Sequence, residues 1–275
     1  MNRVESGVAH HYGSYDVLAR IRAGLVAMGY GERIPAEALK AVDEFHIGGA
    51  EATAALLECL RVTPDMDVLD IGSGIGGPAR NVAGRIGCRV TGVDLTPAFV
   101  EAAEVLSEMC GMDDRVEFRV GSGTELPLPD RSFDLALLLH VGMNIPDKNG
   151  LFREARRVLR DGGTFAVYDV MKTGDGTLAY PVPWAETEDL SALTAPEVYR
   201  NAAKNAGFVL EAEEDRSAIA LEFFARIQAQ GAGAAPPPLG LHTLMGPTMK
   251  QKLANMIAAI KEGTIGPVQM IFRAA

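Results

Sequence analysis

Hydrophobic positions along the chain follow a helical period first and a strand period afterwards. Val17, Leu18, Ile21, Leu25 and Val26 fall on one stripe of a predicted helix from Asp16 to Met28. A second short helix begins at Pro35, a favoured first-turn residue, and carries Ala38, Leu39 and Val42 until Gly48-Gly49 breaks it. A third runs from Glu51 to Leu60. These helices form a cap over residues 1–62, ahead of one α/β domain over 63–275. Within that domain, short apolar runs alternate with helical ones. Strands are expected at 67–71, 89–94, 116–120, 133–140, 165–171, 208–212 and 268–273. Helices are expected at 78–86, 97–110, 149–159 (ended by Asp161-Gly162-Gly163 as a C-cap), 195–206, 218–230 and 248–262. The pattern predicts a doubly wound, mostly parallel seven-stranded sheet with ligands at its carboxyl edge. Residues 217–263 read as a helical lid insertion before the last strand, and 231–238 as a low-complexity hinge.

The first strand and its turn carry the candidate chemistry. Val68 to Gly77 reads Val-Leu-Asp-Ile-Gly-Ser-Gly-Ile-Gly-Gly, and the second strand closes on Asp94. Gly72 and Gly74 let the backbone turn sharply against a ligand, and Asp94 can accept both hydroxyls of a ribose. Gly72, Gly74 and Gly77 satisfy the dinucleotide pattern G-x-G-x-x-G. Asp70 argues against that reading, because a carboxylate there repels the pyrophosphate that the following helix would hold. It suits a ligand with positive charge, such as the ammonium and sulfonium of S-adenosylmethionine.

Composition narrows the partners. The 275 residues carry a net charge of -10, with 48% hydrophobic and 23% charged residues, and no basic stripe. Nucleic acid is a poor fit, since its binding draws on Lys and Arg, and a small-molecule substrate is expected. Cys59, Cys88 and Cys110 are scattered among apolar residues and read as reduced, buried small hydrophobes. The first residues lack an apolar signal core and no run approaches membrane-spanning length, so a cytoplasmic protein is expected, with no membrane partner.

The run Asp70-Ile-Gly-Ser-Gly-Ile-Gly resembles motif I of the class I S-adenosylmethionine-dependent methyltransferases, which are Rossmann-like. Leu126 to Asp134 and Leu159 to Gly163 resemble that family's segments before strands four and five. His11-Tyr12-Gly13 and Phe45-His46-Ile47-Gly48-Gly49 are similar to its small-molecule members related to quinone, sterol and sarcosine/dimethylglycine methylation. The resemblance implies that Asp70 and the backbone of Gly72 hold the methionine part of the cofactor, with Gly74 also a cofactor-binding residue. Asp94 would hold the ribose, Leu95 would pack on the adenine, Ser122 would meet the adenine amine, and Gly123 is a further cofactor-binding residue. Ser122 stands where the family has an acid and accepts a weaker hydrogen bond. His140 would line the space beside the sulfonium and serve as general base, with Tyr12 or His46 as second candidates. Met143, Asn144 and Tyr180 would touch substrate, while Trp184 reads first as cap packing. Asp169, at the end of strand five, resembles one acid of a catechol-type magnesium site. His140 stands where that site needs another acid, so no metal is expected. The implied activity is in-line methyl transfer to a nitrogen, oxygen or carbon of a small molecule with hydrophobic surface. Two alternatives are a protein that binds the cofactor without methyl transfer, including a pericyclic type, and a nicotinamide-dependent reductase.

Overall fold

The computed structural model describes residues 16–231 and 237–275. Ahead of the sheet come α1 (Val17–Ala27), a 3-10 turn (Ala36–Leu39) running into α2 (Lys40–Asp43), and α3 (Gly49–Cys59). The alternating part follows as β1 (Asp67–Ile71), α4 (Gly77–Ile86), β2 (Arg89–Asp94), α5 (Pro97–Met109), β3 (Val116–Val120) and β4 (Phe133–Leu139). It continues with α6 (Lys148–Val158), β5 (Leu159–Lys172), α7 (Pro196–Asn205) and β6 (Phe208–Asp215). Three helices, α8 (Ser217–Gly231), α9 (His242–Met245) and α10 (Met249–Lys261), precede β7 (Ile265–Ala274).

The seven strands form one sheet in the order β3-β2-β1-β4-β5-β7-β6. All neighbours pair in parallel except β7, which runs antiparallel to both β5 and β6. Strand order reverses between β1 and β4, and a crevice opens at their carboxyl ends. Alternation sorts side chains onto two cores. Ala136 and Leu138 of β4 join a core rich in aromatic rings, where Phe152 meets Phe165 and Phe272 edge-on at 5.1 and 5.3 Å between centroids. Leu135, Leu137 and Leu139 join the opposite core with α3 and α4.

The expected sheet, cap helices and late helical insertion are present, with several boundaries moved. The β5 strand starts at Leu159, and pairing jumps from Phe133–Leu159 to Leu135–Thr164. Asp161-Gly162-Gly163 therefore lies in a bulge of the strand and is not a helix C-cap; Gly162 takes its positive φ of 75° there. His140 falls outside β4, at a φ of 57°. Cys59 is exposed at the end of α3 and Cys110 only half-buried, against the expectation of three buried thiols, because both sit at the last turn of a helix, where the chain emerges from the core. Among the described residues, no helix is long and apolar enough to cross a membrane.

A buried ion pair holds the cap to the sheet. Arg80 of α4 is 2% exposed, and its guanidinium donates to both carboxylate oxygens of Asp43, 2.6 Å from Oδ1, as well as to the Ile75 carbonyl and Ser107 Oγ. A Cβ on Gly77 would overlap the carbonyl of Asp43, so only glycine lets the cap come this close. Removing one member of a buried pair strands the other's charge, at a cost of roughly 3–5 kcal/mol. Arg80→Met is expected to lose stability of that order in urea unfolding. The double variant Asp43→Leu, Arg80→Met is expected to recover most of it.

Candidate functional site

Three glycines shape the turn after β1 for three different reasons. Gly72 takes a φ of 76° and donates its N–H to the Val93 carbonyl at 2.7 Å, and a Cβ there would overlap Val141. Gly74 takes a φ of 54° with nothing within 4 Å of where its Cβ would be, so it faces open space. Gly77 admits the cap rather than a pyrophosphate.

Acidic groups gather around this turn. Asp94 ends β2 with Oδ2 accepting from the Gly74 N–H at 2.9 Å and Oδ1 from the Thr96 N–H at 2.8 Å. Asp70 lies in β1 beneath the turn, 1% exposed, and its Oδ2 has no hydrogen-bond partner among the described residues; neither has Ser73 Oγ. Burial, then the Glu44 and Asp94 carboxylates, pushes the Asp70 carboxyl up to about 7. Glu44, in the cap, accepts from Asn81 Nδ2 and from Thr53 Oγ1, which in turn lies 3.1 Å from His46 Nε2.

Beside them opens a cleft of about 1060 Å³ of empty space, its open mouth included. Gly72, Gly74, Asp94, Leu95, Ser122 and Gly123 line it, as do His46, His140 and Asn144. Asp70, buried in β1, does not. A second, predominantly apolar cavity of about 750 Å³ adjoins the first, its mouth again included. Phe45, His46 and His140 line both spaces and form the boundary between them. No Lys or Arg among the described residues lines either one.

His140 is held from three directions. Its backbone N–H donates to the Tyr168 carbonyl at 2.7 Å, and Nδ1 lies 3.1 Å from that same oxygen. A carbonyl can only accept, so Nδ1 carries the proton. Nε2 is then the acceptor, and the Ile47 N–H points to it at 3.4 Å. Burial, then the neighbouring His46, pushes the imidazole down to about 3, so the ring is neutral at physiological pH. His46 is shifted down as well, again chiefly by burial.

Other expected residues are dispersed. Met143 faces the second cavity, and Trp184 does so while donating from Nε1 to Ser191 Oγ at 3.0 Å. Asn144 is tied to the Trp184 carbonyl through Nδ2 at 2.9 Å. Tyr180 is not among the lining residues of either cavity and packs on the cluster of Trp184 and Met256. Asp169 is fully buried beside the Val141–Ile145 turn, accepting from the Tyr199 hydroxyl at 2.7 Å. Tyr12 lies outside the described residues. Glu44, Arg80, Phe223, Phe224, Leu253 and Met256 join the site without having stood out in the sequence. The adjacent Phe223-Phe224 pair, in a chain with 6% aromatic residues, is the available signal for the lid's contribution.

The sheet order and the glycine turn after β1 make a Rossmann-like fold, the one shared by the methyltransferase structures that superpose on this chain. Residues 69–167 match the family model described as a methyltransferase domain. The sterol 24-C-methyltransferase ERG6B of Gibberella zeae is 38% identical over 112 residues, 41% of this chain and 30% of that protein. The chain thus spans well under two thirds of the length of that curated relative. A geranyl diphosphate C-methyltransferase from Streptomyces coelicolor A3(2), solved with Mg2+, geranyl diphosphate and S-adenosyl-L-homocysteine, superposes with a TM-score of 0.71 at 18% identity. That match covers 100% of this chain and 98% of the other. The [4+2]-cyclase SpnF superposes with a TM-score of 0.68 at 21% identity, over 97% of this chain and 96% of that one.

Asp70 also links the site to stability. An acid raised from 3.8 to about 7 holds its proton more tightly folded than unfolded. Its contribution therefore favours the fold at low pH and is lost as pH rises from about 4 to about 7. Asp70→Asn is expected to stabilise the ligand-free protein at pH 8 by on the order of 2–4 kcal/mol, and to leave it unchanged at pH 4. Thermal melts of both proteins across that range check this.

Proposed function

We propose that the protein binds S-adenosylmethionine in the first cleft and transfers its methyl group to a small molecule in the second cavity. One observation carries this reading. Asp70, Asp94 and Glu44 converge on the glycine turn, while the cations that could neutralise them are absent from the lining described or, like Arg80, already paired. Such a field attracts a sulfonium and an ammonium and repels a pyrophosphate.

The donor supplies an electrophilic methyl on sulfur. Asp94 has lone pairs left on both oxygens for ribose hydroxyls, beyond those given to Gly74 and Thr96. Leu95, Phe99 and Ile75 offer the apolar wall against which an adenine can pack. Ser122 Oγ, which accepts the Thr124 N–H at 3.2 Å and lies 2.9 Å from Thr124 Oγ1, lines the cleft on the side where the adenine amine would come. Asp70 acts on the amino-acid part from behind the turn, through its field and through the backbone of Gly72. Phe45 and the cap exclude water from the boundary between the two spaces, where the acceptor atom is positioned in line with the methyl.

At that boundary His140 is a positioning group. Its Nε2 lone pair is engaged by the Ile47 N–H, and its weak basicity suits orienting an acceptor better than taking its proton. A general base is worth ~10²–10⁴-fold in rate. His140→Ala is expected to reduce kcat by less than about tenfold, with no new pH dependence between pH 6 and 9. A larger loss that tracks a titration would restore the base role.

The scattered free cysteines support a reducing, cytoplasmic setting. A second reading, cofactor binding without transfer, is favoured by the absence of a free base among the described residues at the boundary. Calorimetry with S-adenosylmethionine and with a nicotinamide dinucleotide tests the binding, and release of S-adenosylhomocysteine in the presence of acceptors separates the two readings. S-adenosylmethionine alone is expected to bind. Its affinity should fall about tenfold per pH unit below about 7, as Asp70 takes up a proton, and Asp70→Asn should abolish that slope. Tight binding of the dinucleotide instead would replace this reading with that of a reductase.

A further inference from the structure

The second cavity has an unusual charge balance for a substrate pocket. Its wall is built from rings and aliphatic chains: Phe45 and Ile47 from the cap, Trp184 from the loop after β5, and Phe223, Phe224 and Met256 from the lid helices. The polar groups that reach it are Glu44, His46 and His140. Both imidazoles are held toward the neutral form by burial. Glu44 already spends one oxygen on Asn81 and the other on Thr53. A carboxylate or phosphate entering here would lose its hydration, find no cation among the described residues, and face Glu44. An apolar body would lose only water.

We propose that this cavity takes an uncharged, predominantly apolar methyl acceptor and rejects acceptors that carry a carboxylate or a phosphate. The proposal rests on the methyl-transfer reading for the word acceptor, while the charge selectivity follows from the cavity alone. Its reactive atom lies at the Phe45–His46–His140 boundary, and its apolar body extends toward α8 and α10. The geranyl diphosphate enzyme that shares this fold was solved with a diphosphate ligand and Mg2+. In this chain, no group of three or more His, Cys, Asp or Glu among the described residues could hold such an ion.

The cavity contains its own reporter, since Trp184 is the single tryptophan of the chain and lines the wall. Titrating the protein at pH 8 with 1-decanol and with decanoate compares one apolar chain with and without a charge. Trp184 fluorescence is expected to shift with decanol at a concentration at least tenfold below that for decanoate. Ile227, on the rim of α8 and 44% exposed, gives the second arm. Ile227→Lys can place an ammonium at the mouth while its stem keeps the apolar contact. It is expected to improve decanoate binding at least threefold and leave decanol within twofold. Equal or tighter binding of decanoate by the unsubstituted protein overturns the proposal, as does a saturating decanol titration that leaves Trp184 unmoved. An Ile227→Lys variant with an unchanged preference would place the probes outside the cavity and overturn it too. If decanol binds selectively but no acceptor ever yields S-adenosylhomocysteine, the selectivity stands and the methyl-transfer reading falls.

Discussion

The close approach of the Asp43 backbone to Gly77 fixes where everything else in the site can be. With no side chain on Gly77, the cap segment rests directly on the first turn of α4. Arg80, one helical turn on, closes over the contact and ties it to α5 through Ser107. The next residues of the cap, Glu44, Phe45 and His46, are then delivered to the edge of the glycine turn. The roof of the cleft is therefore not a separate lobe that visits the sheet; it is locked to the helix that begins at the glycine turn.

The same contact creates the electrostatic character of the cleft. Because Asp43 is matched by Arg80, no cation is left over for Glu44, Asp70 or Asp94 in the described lining. Buried carboxylates without counter-ions are costly, and such groups cluster at functional sites. The sheet contributes the register that sets Asp70 beside Gly92 and Leu137. These small and apolar neighbours give its Oδ2 no donor.

Much of this is legible in the sequence, and the exceptions have physical causes. Alternation in β1 to β4 and the glycine turn are local signals, so the sheet, the crevice and the roles open to Gly72, Gly74 and Asp94 can be read residue by residue. Boundaries shift where tertiary pairing overrides a local cue. Asp161-Gly162-Gly163 is a sound helix terminator, yet β4 and β5 draw it into a strand bulge. The function of Gly77 and Arg80 is invisible in the sequence, because their partner Asp43 is distant along the chain and unremarkable in type. The second cavity is hidden for the same reason: its walls come from the cap, the Trp184 loop and two lid helices, and no local period reports their meeting. His140 is recognisable by position, but its tautomer and its tie to Ile47 depend on atoms that only the folded chain brings together.

The place of β7 in the sheet sets an order of assembly. It lies between β5 and β6, and β6 joins the sheet only through it. Helices α8 to α10 are strung between β6 and β7, so β6 has no strand to pair with until that whole segment has been gathered in. The half of the sheet that forms the glycine turn uses successive βα units and needs no such long closure. Folding can thus complete the glycine crevice first, while the apolar cavity becomes a cavity only when the last gap in the sheet is filled.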